Sequence, residues 1–174
     1  MSEASERAKR VAGRSDGGAR GQTEQLVFSS RLAAAPDAVW ARVITPEGVN
    51  DELRPLARMT FPASVKDLSP ENVPIGSPIC TSWFLLFGFV PFDRARVTLV
   101  AIADRSFVEQ SPMLSLKLWR HERSVGVDGA GCRLTDTLRF EPRLGVMMPL
   151  VRWLVGWLFR NRHARLTARF GRAP

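Results

Sequence analysis

Residues 132–162 read CRLTDTLRFEPRLGVMMPLVRWLVGWLFRNR. The spacing of apolar residues in this stretch is first typical of a strand and then of a helix. From Cys132 to Phe140 apolar and polar residues alternate, which is the pattern of a β-strand with one buried face. From Pro149 to Phe170 the sequence predicts a helix, roughly 33 Å long at about 1.5 Å per residue. A helix this long, at the end of an otherwise strand-rich chain, needs a partner as wide as a whole sheet. The sequence therefore predicts an α+β domain in which a curved sheet packs against a long C-terminal helix.

The upstream elements are predicted from apolar periodicity and from the positions of proline. A first strand over 26–32 precedes two short helices, one over 35–44 and one that begins near 46 and must end before Pro55. A weak strand at 59–61 and a proline-rich loop over 62–78 come next. The remaining predicted strands cover 79–89, 96–103, 107–110, 114–127 and 132–140.

Composition predicts one domain after a short tail. Residues 1–22 contain a single large apolar side chain, Val11, and are expected to be disordered, whereas residues 23–172 are expected to form the folded domain. The tail lacks the apolar core of a signal peptide, so a cytoplasmic protein is predicted. Cys80 and Cys132 are far apart in the sequence and are interpreted as buried free thiols.

The net charge and the spacing of potential metal-ligating residues limit which classes of partner are expected. The net charge is +8, and no acidic residue follows Glu141, although seven arginines do. Because these arginines lack an exposed aromatic strand face or a known reading motif, no nucleic-acid partner is predicted. The spacing of His, Cys, Asp and Glu suggests no metal site, and no cofactor is predicted.

The last hairpin is interpreted from the parity of its residue numbers. Leu114, Leu116 and Leu118 are even-numbered, and so are Leu134, Leu138 and Phe140. Because paired residues share a face, a three-residue turn over 129–131 is predicted, with the even residues of both strands facing inward. This register places Arg120, Glu122 and Asp136 inside the domain. It places Trp119 and His121 outside, while His163 is predicted to border the sheet.

The order of the elements resembles that of a known superfamily. Four short motifs carry the likeness, at 35–40 (APxxVW), 119–122 (WRHE), 135–142 (TDTLxFEP) and 159–166 (FRNRHxxL). Together they resemble the START-like, or birch-pollen-allergen-like, helix-grip superfamily, and within it the bacterial polyketide cyclase/dehydrase-like proteins. The resemblance implies a sheet wrapped around the C-terminal helix, with two short helices after the first strand.

The resemblance also implies a cavity that holds a small apolar ligand such as a lipid or polyketide. The fold hosts binding proteins and enzymes alike, so a cyclase or dehydratase is the alternative, with Asp136 or Glu122 as acid or base. The chain contains no tyrosine, which excludes a mechanism that depends on a tyrosine hydroxyl. It also lacks the second domain and the Cys/His cluster of the iron–sulfur oxygenases that share this fold. No catalytic residue is assigned.

The predicted ligand site combines an apolar lining with a polar end. Its lining residues are Trp83, Phe87, Leu116, Leu118, Leu138, Val155 and Phe159. An ion pair between Arg120 and Asp136 is predicted to form its polar end, either to anchor a ligand head group or to hold the register of the strands.

A second apolar face of the C-terminal helix requires a partner of its own. Val155, Phe159, Leu166 and Phe170 form the stripe assigned to the sheet, and the opposite side carries Leu150, Trp153, Leu154 and Trp157. The partner of that opposite side is the 62–78 loop, a second subunit, or a membrane surface contacted by tryptophan with arginine nearby.

Overall fold

The computed structural model describes residues 23–69 and 72–173. The elements follow in the order β1 (Glu24–Leu32), α1 (Pro36–Val43), α2 (Pro46–Leu53), β2 (Ala57–Met59), β3 (Pro78–Leu86), β4 (Val90–Ala103), β5 (Ser106–Gln110), β6 (Leu116–Asp128), β7 (Gly131–Pro142), a short 3₁₀ turn (Gly145–Met147) and α3 (Met148–Phe170). The predicted tail, residues 1–22, lies outside the described residues.

The strands form one antiparallel sheet in the order β1-β7-β6-β5-β4-β3-β2. The sheet curls into a half-barrel around α3, whose 23 residues span its concave side. The predicted α+β helix-grip class, with two short helices after the first strand, is therefore confirmed. Cys80 and Cys132 are both free thiols.

Local sequence signals explain how the two short helices begin and end. Each starts with a proline in its first turn, where the missing N–H costs no hydrogen bond. The Thr45 hydroxyl caps α2 by accepting from the Gly48 N–H at 3.0 Å. A Cβ on Gly48 would lie 1.9 Å from the Arg42 carbonyl oxygen, so only glycine allows α1 and α2 to approach this closely. As predicted, α2 ends before Pro55.

Three apolar clusters form the core, of which the smallest joins α2 to β2 through Val49, Leu53 and Ala57. The two larger clusters lie between the sheet and the helices. One lies under α1 and includes Leu32, Val39 and Leu134. The other lies under the first half of α3 and includes Phe140 and Phe159, with additional members Ala95, Met113, Leu116, Leu138 and Met148. Between them lies a group of buried charged side chains, which forms the centre of the domain.

The register of the last hairpin differs from the prediction. Asp128 pairs with Gly131, so the turn has two residues and not three. A β-bulge between Leu116 and Leu118 reverses the alternation along β6, and from that point the odd residues face inward. The predicted inward orientation of the even residues holds only before the bulge, so it is wrong for the rest of β6. On β7 the even residues do face inward, as predicted.

No helix within residues 23–69 and 72–173 has both the length and the hydropathy required to cross a bilayer.

Candidate functional site

The predicted lining residues separate into three groups. Leu116, Leu138 and Phe159 are buried in the cluster under α3, and Val155 packs against that cluster. Leu118 is half-buried beside the bulge. Trp83 and Phe87 lie outside this cluster and are 42% and 57% exposed on the β3–β4 hairpin. Trp83 instead lies under the Arg94 guanidinium, 5.5 Å from its ring centroid.

The predicted Arg120–Asp136 pair is also wrong. The bulge turns Arg120 to the outer face, where its Nε donates to Glu122 Oε1 at 2.7 Å. Glu122 is therefore on the outer face as well. Arg123 occupies the inward position opposite Asp136 in the register of β6 and β7, and it is the residue that pairs with Asp136.

Asp136 is fully buried and accepts four hydrogen bonds. Arg123 donates from Nε to Oδ1 at 2.7 Å and from a terminal nitrogen to Oδ2 at 2.8 Å. His121 Nε2 lies 2.8 Å from Oδ1, and His163 Nε2 lies 3.0 Å from Oδ2. The remaining nitrogen of His163 lies 2.7 Å from the Ser30 hydroxyl. The predicted inward orientation of Asp136 is confirmed, whereas the predicted outward orientation of His121 is not.

Glu52 joins this group to α2 and α3. Its Oε1 accepts from Arg123 at 2.8 Å, and its Oε2 accepts from Arg123 at 2.9 Å and from Arg162 Nε at 2.8 Å. Arg123 is thus held between two carboxylates, and Arg162 reaches the same site from α3. The Arg162 guanidinium also stacks on the Phe159 ring, 4.8 Å from its centroid.

His121 has a carboxylate at each of its ring nitrogens. Asp136 is at Nε2, and Glu109 Oε2 lies 3.7 Å from Nδ1. The His121 ring therefore lies between Asp136 of β7 and Glu109 of β5. Glu109 accepts a hydrogen bond from the Ser111 hydroxyl.

The carboxyl groups of this network lie beside cations. The carboxyl groups are Glu52, Glu109 and Asp136, the arginines are Arg123 and Arg162, and the His121 ring lies between Glu109 and Asp136. Desolvation alone would raise the pKa of each carboxyl group, but the neighbouring cations lower the pKa by a larger amount, and the net shift is downward. The arginines hold the pKa of Glu52 below its usual range, and Arg123 with His121 holds the pKa of Asp136 well below its own. The neighbouring His121 ring and the hydrogen bond from Ser111 lower the pKa of Glu109.

A small enclosed cavity adjoins the network on the side of α1 and α2. Its volume is about 40 Å³. Three polar side chains, Glu109, His121 and Arg162, reach its wall, and the rest of the lining is apolar: Val43, Val49, Met59, Phe61, Leu68, Val97, Leu99 and Phe107. None of the predicted site residues lines this cavity. Asp136 and Glu122, the acid or base of the enzyme alternative, are not part of its lining either.

The second apolar face of α3 is largely open to solvent. Leu150, Trp153 and Leu154 are exposed, and Trp157 is half-buried because its ring stacks on Trp153 at 5.8 Å. The described parts of the 62–78 loop, residues 62–69 and 72–78, leave this face exposed. Leu68 and Val73 of this loop pack instead into the cluster under α1, and the Leu68 N–H donates to the Ile44 carbonyl at 2.9 Å.

Residues 30–170 match the family described as "Domain of unknown function (DUF8410)". The chain belongs to the DUF8410 family. None of the curated proteins compared matches the chain.

Solved structures with the same fold come from distant proteins. Protein CV1439 from Chromobacterium violaceum is 12% identical with a TM-score of 0.64, covering 86% of this chain and 98% of its own. A START superfamily protein from Mycobacterium smegmatis is 14% identical with a TM-score of 0.60, covering 86% and 97%. Major latex-like protein 151 from Panax ginseng is 14% identical with a TM-score of 0.60, covering 87% and 99%. The DUF8410 chain thus has the START-like, birch-pollen-allergen-like helix-grip fold that its sequence resembles.

Proposed function

We propose that this DUF8410 protein binds a small, largely apolar molecule that carries one polar group. The ligand occupies the enclosed cavity between the sheet, α1, α2 and α3. The observation that supports this proposal is the convergence of Glu109, His121 and Arg162 on an otherwise apolar cavity. Few precisely placed polar groups in an apolar lining are typical of small-molecule sites. A ligand hydroxyl would donate to Glu109, and a ligand carbonyl would accept from Arg162.

Ligand binding at this site requires the cavity to expand. A volume of about 40 Å³ is close to the roughly 30 Å³ that one water occupies in the liquid. Small-molecule pockets measure about 300–1,000 Å³. Phe61 and Leu68 come from the irregular segment after β2, whereas Val97 and Phe107 belong to the sheet. We infer that the ligand displaces the side chains of this irregular segment, because the sheet residues are fixed by strand pairing.

The first prediction tests this site with 2-naphthol, a probe with one hydroxyl on an apolar body. The parent should bind it saturably with a micromolar dissociation constant. Leu68→Ala removes a side chain that the probe must displace, so it should tighten binding about tenfold, equivalent to roughly 1.4 kcal/mol. Naphthalene, which lacks the hydroxyl, should bind more weakly than 2-naphthol to both proteins. Calorimetric titration measures all four constants.

Leu32→Ala is the matched control for this prediction. Leu32 is fully buried in the same apolar cluster as Leu68 but does not line the cavity. Its truncation should destabilise the domain and leave the affinity for 2-naphthol unchanged. The proposal fails if neither the parent nor Leu68→Ala binds the probe, or if both leucine variants change the affinity equally.

We propose in addition that the exposed face of α3 contacts an anionic membrane surface. Trp153 is 57% exposed, and Leu150 and Leu154 project beside it. The exposed Arg160 lies two helical turns after Trp153 on the same side of α3. Exposed apolar groups next to cations suit the boundary between lipid head groups and acyl chains. A second subunit on this face is the competing outcome, because an apolar surface of this kind also suits a dimer.

The second prediction is that the parent sediments with acidic liposomes and that added salt weakens this association. A Trp153→Ser/Trp157→Ser variant should remain in the supernatant, whereas Trp83→Ser, which removes an exposed tryptophan elsewhere, should sediment like the parent. Analytical ultracentrifugation without lipid identifies the competing outcome. A dimer that the double variant converts to monomer, together with no liposome binding, would contradict membrane contact.

A further inference from the structure

A second and larger concavity lies outside the enclosed cavity. It runs between β1 and the first half of α3 and has a volume of about 600 Å³. We call it the β1–α3 groove. Leu26 and Phe28 of β1 form one wall, and Met148 and Trp153 of α3 form the other. Within residues 23–69 and 72–173, β1 is an edge strand, and no further strand of this part of the chain closes this side of the groove. The volume falls within the range of about 300–1,000 Å³ that is typical of small-molecule sites.

The Arg160 guanidinium lies inside the groove because of a glycine one turn earlier. A Cβ on Gly156 would lie 3.2 Å from one terminal nitrogen of Arg160. The arginine side chain therefore folds back along the helix and rests on the glycine backbone. Glycine in a helix interior costs up to about 1 kcal/mol relative to alanine. At this position it opens the groove and makes room for the cation.

The charges around the groove favour an anion. Glu24 and Arg152 lie at the groove and largely neutralise each other, with Glu24 Oε1 at 3.4 Å from Arg152 Nε. Among the described residues, Arg160 forms no ion pair and no side-chain hydrogen bond. A guanidinium stays charged at every accessible pH and binds a carboxylate or phosphate through two parallel N–H donors.

We propose that the β1–α3 groove binds an amphipathic anion. Its carboxylate or phosphate head pairs with Arg160, and its apolar part lies along Leu26, Phe28 and Trp153. This site is separate from the enclosed cavity and does not depend on ligand binding there, but it shares Trp153 with the exposed face of α3. The chemistry is shared by free single-chain amphiphiles and by anionic head groups in a bilayer, so the test has an arm for each source.

The test uses decanoate as a free amphiphilic anion and decanol as its neutral match. The parent protein should bind decanoate saturably and more tightly than decanol. Arg160→Gln should weaken decanoate binding at least about tenfold, as expected for a lost charge-assisted hydrogen bond, and change decanol binding little. Arg169→Gln removes the same charge from the same helix outside the groove and should bind decanoate like the parent.

Gly156→Leu tests the position of the ligand. The leucine side chain would fill the groove and displace Arg160, yet leucine is a better helix former than glycine. This variant should fold with an unchanged or raised thermal midpoint and lose both decanoate and decanol. It should still bind 2-naphthol, whereas Leu68→Ala should still bind decanoate. These two results separate failure of the groove from failure of the enclosed cavity.

Vesicles of phosphatidylcholine with and without phosphatidylglycerol form the second arm. Binding of phosphatidylglycerol vesicles but not of free decanoate, lost in Arg160→Gln, assigns the groove to membrane head groups. Binding of decanoate by the parent but not by the variant assigns it to free amphiphiles. The proposal is overturned if Arg160→Gln and Gly156→Leu bind decanoate and phosphatidylglycerol vesicles as the parent does. It is also overturned if the parent binds neither of these two probes.

Discussion

Replacing Arg123 with methionine should destabilise the domain by about 3–5 kcal/mol. The guanidinium donates to both Asp136 and Glu52, and all three side chains are buried. Methionine fills a similar volume but leaves two carboxylates without their shared cation. Removing one member of a buried ionic group is costly because the remaining charges stay desolvated. Urea denaturation followed by circular dichroism measures the difference in the free energy of unfolding.

Arg120→Met on the same strand is the matched control. Arg120 makes a partly exposed pair with Glu122, and pairs at the protein surface contribute about 0–1 kcal/mol. Its replacement should change the free energy of unfolding by no more than that. Equal effects of the two substitutions would mean that Arg123 is not the central cation of the buried network.

Lowering the pH should unfold the domain steeply once the carboxylates of the unfolded chain begin to take up protons. The pKa values of Glu52, Glu109 and Asp136 are lowered in the folded state. The stability that they contribute is therefore fully present above the unfolded values of about 4, and it is lost as the pH falls from there towards the folded values. Three protons taken up on unfolding correspond to a slope of about 4 kcal/mol per pH unit.

Urea denaturation at several pH values between 3 and 7 measures this slope, which is expected to be close to flat above about pH 5. Glu109→Gln should reduce the slope by about one proton, because one of the three linked carboxylates is gone. Glu122→Gln, on the outer face, is the control for loss of a carboxylate. A stability that stays constant down to pH 3 would contradict the ionised network.

The fold could be predicted from the sequence because its signals are local and repeated. The alternation along β7 and the length of α3 require a helix packed across a sheet, and both elements are present where they were predicted. The prolines at the starts of α1 and α2, and Pro55 just after the end of α2, fix the bounds of those helices in the same way. Signals of this kind depend on residues within a few positions of one another.

The site was less predictable than the fold because it depends on a bulge and on contacts between distant elements. One extra residue near Leu116 exchanges the faces of Arg120 and Arg123. The sequence of β6 also allows a register in which the odd residues face inward. That register predicts His121 and Arg123 as inward-facing residues. Glu52 is 71 positions from Arg123, and a carboxylate on a short helix carries no local signal of burial.

Trp83 and Phe87 show a different limit. The apolar run over 79–89 predicts a strand, but the β3–β4 hairpin lies near one end of the sheet, where only the three-residue β2 lies beyond β3. Its aromatic side chains are consequently exposed, and Trp83 is covered only in part by Arg94. Apolar character alone does not distinguish an inner strand from an exposed hairpin.

The most direct test of the proposed function is an amide NMR titration of the parent protein with 2-naphthol. We expect saturable shifts that cluster at Leu68, Val97, Glu109 and Arg162, around the enclosed cavity. Amides beside the β1–α3 groove, such as Gly156, should stay unchanged. Shifts confined to the groove, or no saturable shifts at all, would contradict the proposal that the sheet and α3 enclose a ligand site.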